Sequence, residues 1–124
     1  MGEKITSFKD LVAWQEGHKL VLLVYTLTKK FPADERFALI DQLRRAVVSI
    51  TSNIAEGFSR KTASDKASFY QIALGSLTEV ENQMIIAKDL GYIAQNDFDG
   101  FNEQFIICSK LIHGLVKSTR DNKF

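Results

Sequence analysis

The stretch Gln42-Leu43-Arg44-Arg45-Ala46-Val47-Val48-Ser49-Ile50-Thr51-Ser52-Asn53-Ile54-Ala55-Glu56-Gly57 decides how this chain folds. Leu43, Val47, Ile50 and Ile54, with Ile40 just upstream, recur at spacings of three and four, which places them along one seam of an α-helix. Gln42, Arg45, Ser49, Asn53 and Glu56 keep the same rhythm and share another face. The spacing predicts a helix from about Glu35 to Glu56, with Asp34 as its N-cap. Gly57 reads as its stop, because glycine takes the left-handed conformation without a Cβ penalty.

Working outward, three more helices have the same period. The first runs from about Phe8 to Lys30, capped by Ser7 with Asp10 three residues on in the place of a capping-box acid. Leu11, Trp14, His18, Val21, Tyr25 and Thr28 form its seam. Leu20, Leu23, Val24 and Leu27 widen the apolar face, so this segment needs cover on most sides. Phe31-Pro32 ends it, since proline disfavours a helical residue before it. The third runs from about Ser64 to Leu90 along Tyr70, Ala73, Leu77, Val80, Met84 and Ala87, and Gly91 ends it. The fourth runs from about Asp97 to Thr119 along Phe98, Phe101, Phe105, Cys108, Ile112 and Leu115, with Asp97, Asp99 and Glu103 early, where negative charge suits the helix dipole. Short links between long helices force antiparallel neighbours. The expected fold is therefore all-α, an antiparallel up-down-up-down four-helix bundle formed as a single domain over residues 1–124.

Composition narrows the function classes. The chain has 124 residues, 45% hydrophobic and 25% charged, which suits a soluble globular protein and is too apolar for disorder. Sixteen Lys and Arg against 15 Asp and Glu leave a formal charge of +1, unlike a strongly basic nucleic-acid module. Cys108 is the one cysteine, which excludes an intrachain disulfide and a Cys-rich zinc motif and suits a reduced cytoplasm. The longest apolar run, Leu20 to Tyr25, is far too short to span a bilayer, and there is no secretory h-region at the start, so no membrane association is expected. Gly2 with Thr6 fits the loose myristoylation pattern, read here as coincidence.

Catalytic motifs are missing. There is no Gly-x-Gly-x-x-Gly, no Walker-type Gly-Lys-Ser/Thr and no Gly-x-Ser-x-Gly elbow. Glu-x-x-His, which di-iron bundles place on two helices, does not occur, so His18 and His113 read as structural. Cys108 reads as a small core hydrophobe. No catalytic residue, metal, cofactor or small-molecule substrate is expected. The candidate polar network is Arg45, Ser49, Asn53 and Glu56 of the second helix with Ser76 and Glu79 of the third. If it is buried, each group needs a partner or costs roughly 1–3 kcal/mol, and Arg45 with Glu56 or Glu79 is the expected pair.

Charge is balanced but unevenly placed. Residues 36–66 carry net +3, residues 79–103 net −5 and residues 104–124 net +3. Such a surface steers partners even near neutrality. Arg44, Arg60, Lys61 and Lys66 are the candidate nucleic-acid contacts, Arg60 and Lys61 being the best placed because they follow the Gly57 stop.

The stretch 42–57 resembles the core motif of the bacterial four-helix bundle proteins known as the 23S rRNA intervening sequence protein family. Three further segments are similar. Phe8-Lys9-Asp10-Leu11 with Trp14-Gln15 resembles the family's opening, and Phe31-Pro32 its first turn. Ala73-Leu74-Gly75-Ser76-Leu77 with Glu79, then Ala87-Lys88-Asp89-Leu90-Gly91-Tyr92, resembles its third helix. The resemblance implies a four-helix bundle of unknown biochemical role, similar to the accessory variability determinant proteins of diversity-generating retroelements. Those relatives imply a homo-oligomer, a pentamer, with RNA or an RNA-linked protein as partner. They are strongly basic and this chain is not. A monomer is therefore expected to bind nucleic acid poorly, since backbone affinity follows the number of phosphates neutralised. An assembly would concentrate Arg44, Arg60, Lys61 and Lys66.

Overall fold

The computed structural model describes residues 4–121; Gly2 of the myristoylation pattern and Lys123 of the C-terminal basic cluster lie outside them. Among the described residues are four long helices, α1 (Val12–Thr28), α2 (Leu39–Ser59), α3 (Ala63–Asp89) and α4 (Gln95–Asp121), and no strand. Each packs on its neighbours in the chain, and α1 also packs on α4, which closes the square. Paired contacts fix the directions. Arg44 of α2 reaches Thr28 at the end of α1, Gln42 and Ser49 meet Gln83 and Ser76 of α3, and Lys30 meets Asp97 beside the start of α4. These pairings run antiparallel, so the bundle is up-down-up-down as expected.

The core is the sum of the four inner faces. Leu20, Val24, Leu43, Val47, Ile50, Ile54, Val80, Met84, Phe101, Cys108 and Ile112 are fully enclosed. Each large aliphatic side chain withdrawn from water contributes about 1.5–3 kcal/mol. The α3 seam is buried at every expected position, Tyr70 through Ala87. The α1 seam is not the expected one. Ala13, Gly17, Leu20, Val24, Leu27 and Thr28 are buried, whereas Leu11, Trp14, Val21 and Tyr25 are half-buried and His18 is exposed. Small residues explain the rotation. A Cβ at Gly17 would stand 3.1 Å from Thr51 Cγ2 and 3.8 Å from Ile54 Cδ1. Glycine there lets α1 and α2 approach closely, and the inner face runs through Ala13 and Gly17 to Leu20, Val24 and Leu27, leaving Trp14 and His18 outside it.

Helix ends differ from the sequence reading in instructive ways. Ser7 and Asp10 do form a capping box, but it caps a single 3-10 turn at Phe8–Asp10. Leu11 then takes an extended conformation before α1 begins. Asp34 and Glu35 likewise lie in a 3-10 turn, and α2 starts later, at Leu39. Gly57 is not a stop. It is buried inside the last turns of α2, which continues to Ser59, and the one positive φ in the described chain is at Gly91. A Cβ at Gly57 would lie 2.6 Å from Tyr70 Cε1 and 2.9 Å from Cδ1, so this glycine serves a close approach between helices. Gly91, with φ +80°, does end α3: its N–H donates to Lys88 O and that of Tyr92 to Ala87 O, the paired bonds of a Schellman stop.

Candidate functional site

The α2–α3 interface gathers half of the expected polar network. Asn53 Nδ2 donates to the Ser49 carbonyl at 2.8 Å and to Ser49 Oγ at 3.0 Å, and Ser76 Oγ donates to Ser49 Oγ at 2.8 Å. These half-buried groups fix how α3 sits along α2. Glu79 belongs to a second group one turn on, where Gln83 Nε2 donates to Glu79 Oε2 at 3.2 Å and to Gln42 Oε1 at 3.4 Å. Gln83 Oε1 is sealed without a partner.

Arg45 and Glu56 take no part. Arg45 pairs with Asp41 on its own helix at 3.0 Å, its side chain 80% exposed, and Glu56 pairs with Arg60 at 2.9 Å. The expected Arg45–Glu56 pair fails on distance: eleven residues of helix at a rise of ~1.5 Å put the two far beyond side-chain reach. The seam is thus a register device of hydrogen bonds, with no ion pair sealed in it.

A polar group that sequence reasoning missed lies on the opposite side, between α1 and α4. Gln104 Nε2 donates to the Glu16 carbonyl at 2.9 Å and to Glu16 Oε1 at 3.0 Å, and the Cys108 thiol donates to the same carbonyl at 3.3 Å. Lys19 and Gln104 together hold the Glu16 carboxyl below its ordinary value. Burial pushes the Cys108 thiol up to about 11, so at neutral pH it is neither nucleophile nor thiolate ligand. Gln104 falls one turn before Cys108, and that spacing was the available signal. His18 stacks on Trp14 with centroids 4.9 Å apart, and His113 Nδ1 lies 2.8 Å from the Ser109 carbonyl. Among the described residues no three His, Cys, Asp or Glu side chains gather as a metal site would need.

The four candidate nucleic-acid contacts do not form one patch. Arg44 is built into the fold: Nε donates to Thr28 Oγ1 at 2.9 Å and its guanidinium lies 4.6 Å over the Tyr25 ring. Arg60 is shared between Glu56 and the face of Phe69. Lys66 donates to the carbonyls of Phe58 at 2.7 Å and Gly57 at 3.4 Å, closing the end of α2. Lys61 has neither ion pair nor hydrogen bond among the described residues; it and Lys66 line a cavity of about 340 Å³ at the α2–α3 corner with Ala63, Tyr70, Leu115, Ser118 and Thr119. A wider groove of about 510 Å³ crosses α1 and α2 beside Arg44, Arg45 and Ser52. Among the described residues no helix is long and apolar enough to cross a membrane.

Comparison with known proteins agrees with this architecture. Residues 9–114 match the family model described as 23S rRNA-intervening sequence protein. No curated protein matches the sequence. The fold is similar to the crystal structure of a protein of unknown function from the S23 ribosomal protein family of Bacteroides thetaiotaomicron, with a TM-score of 0.79, 23% identity, and coverage of 88% of this chain and 98% of that one. At that identity the likeness speaks for the fold.

Proposed function

The chain belongs to the 23S rRNA-intervening sequence protein family, and from that premise we propose that it works by association and without catalysis. Copies of the bundle assemble, and the assembly presents basic side chains to RNA or to an RNA-linked protein in the cytoplasm. The observation that carries this reading is the apolar surface left outside the core. Leu22 of α1, Ile72, Ile85 and Ile86 of α3, Leu90 just after it, and Ile106 and Ile107 of α4 are 40–57% exposed. Apolar surface of this extent on long helices suits contact with another copy. The sequence likeness to the accessory proteins of diversity-generating retroelements supports a homopentamer.

The charge distribution explains why assembly comes first. Arg44, Arg60 and Lys66 are engaged within the protomer, so of the four candidate contacts one copy offers a phosphate backbone only Lys61 uncommitted. Repetition of Lys61 and Arg60 around a ring multiplies it. A second reading, a scaffold that binds no nucleic acid, is favoured by the same engagement of Arg44 and Lys66 inside the fold.

Light scattering after size exclusion tests assembly: a defined oligomer is expected, and a monomer at micromolar concentration overturns both readings. RNA binding across a salt series separates them. The RNA reading expects log affinity to fall with log salt, with a shallower slope in the Arg60→Ala, Lys61→Ala double variant. Absence of binding at low salt leaves the scaffold.

A further inference from the structure

We propose that the cavity at the α2–α3 corner is a binding site for a phosphate monoester. Its lining, Lys61, Ala63, Lys66, Tyr70, Leu115, Ser118 and Thr119, holds two ammonium groups and three hydroxyls and no carboxylate. A volume of about 340 Å³ is at the small-ligand end of natural sites.

Tyr70 points to a ligand independently of charge. It is 4% exposed, and its ring is wedged against Gly57. Its hydroxyl makes no hydrogen bond to any described residue, yet the one sealed side-chain oxygen or nitrogen without a partner is Gln83 Oε1. The hydroxyl therefore reaches the cavity with its proton uncommitted. A phenol with no acceptor in the protein is free to donate to a group held in the cavity. Ser118, exposed at the rim, offers a second hydroxyl, whereas that of Thr119 is spent on the Leu115 carbonyl at 2.8 Å.

The remaining donors are pre-positioned. Lys66 is held by the carbonyls of Phe58 and Gly57, which occupy two of its three protons and leave one. Lys61 is free to swing in. The cavity also adjoins the start of α3, where Thr62 caps the Asp65 N–H and the first backbone N–H groups have no helical acceptor. Asp65 in that turn is exposed and does not line the cavity. Donors without acceptors, around a space with two cations, match a group carrying a charge near −2 and several acceptor oxygens. That chemistry comes from a free nucleoside monophosphate or from the 5′-phosphate end of an RNA strand. The assignment stands on the cavity alone and does not require the RNA reading.

Calorimetric titration of the full chain with AMP, and separately with one short RNA carrying either a 5′-phosphate or a 5′-hydroxyl, tests it. Saturable AMP binding is expected, weakened about tenfold in Lys61→Ala and about fivefold in Tyr70→Phe, which keeps the ring against Gly57. Preference for the 5′-phosphorylated RNA identifies a strand end as the source, and AMP binding without that preference identifies a free nucleotide. Equal, salt-dependent binding of both RNAs with no AMP binding overturns the cavity while leaving the RNA reading intact. AMP binding without any RNA binding does the reverse. Binding unchanged in both variants overturns the site.

Discussion

The two ends of this bundle are closed by opposite means. At the end carrying the α1–α2 and α3–α4 connections, polar and aromatic groups from both connections lock together. The Tyr92 hydroxyl donates to Glu35 Oε2 at 2.6 Å, the Phe31 and Tyr92 rings pack with centroids 5.4 Å apart, and Lys30 pairs with Asp97 at 2.8 Å. At the other end a single short connection joins α2 to α3; the Tyr70 ring lies on Gly57, and Lys66 donates to the carbonyls that end α2. The first end joins α4 to the α1–α2 connection by the Lys30–Asp97 pair. The second leaves Lys61 unspent beside a cavity. The comparison teaches where a small bundle has room for a ligand: at the end where a ring packed on glycine does much of the closing, because donors are left over there even after Lys66 has capped α2.

The strongest way to break the comparison is Gly57→Val. The added atoms meet the Tyr70 ring and backbone has to move, so unfolding in urea should show a loss of about 2–3 kcal/mol. Placing the same change in a Tyr70→Ala background should recover part of it, and additive losses would refute the steric account. At the clasped end, Tyr92→Phe removes one hydrogen bond, and its fall in Tm should be less than half that of Gly57→Val. Glu35 beside it raises the Tyr92 pKa, and burial adds to this. The contribution is therefore complete below the ordinary tyrosine value and is lost as pH rises through the raised one. Wild type and Tyr92→Phe should converge in strongly alkaline buffer. Lys30→Ala should cost about 0.5 kcal/mol or less, vanishing in high salt, because the pair is partly exposed. Lys61→Ala should change stability by no more than about 0.5 kcal/mol. A larger loss would mean that Lys61 belongs to the fold after all.

How far the sequence could be read depended on what side-chain size and spacing reveal. The α3 seam was legible at every position because its inner residues are the apolar ones of a single 3.6-residue rhythm. The α1 seam was misplaced because Ala13 and Gly17 carry no hydrophobic signal, although their smallness sets the inner face. Gly57 looked like a helix stop because the residue that requires it, Tyr70, is distant in sequence. Among the polar candidates, Ser49, Asn53 and Ser76 do meet, since short side chains on facing turns have few alternatives. Arg45 did not join them, because a long cation finds Asp41 one turn away at no loss of hydration. Lys66 read as a free cation, and nothing local signals that the carbonyls ending α2 would take it.

The contact between Gly57 and Tyr70 also constrains how this chain can diverge. A side chain at 57 and an aromatic ring at 70 occupy the same space, so neither position can enlarge alone. In an alignment of relatives the two columns should therefore change together or not at all. A residue larger than glycine in the first would be accompanied by a small one in the second, and with the ring would go the hydroxyl that faces the cavity. The steric rule at the end of the bundle thus becomes a historical marker, separating lineages that kept the pocket from lineages that lost it.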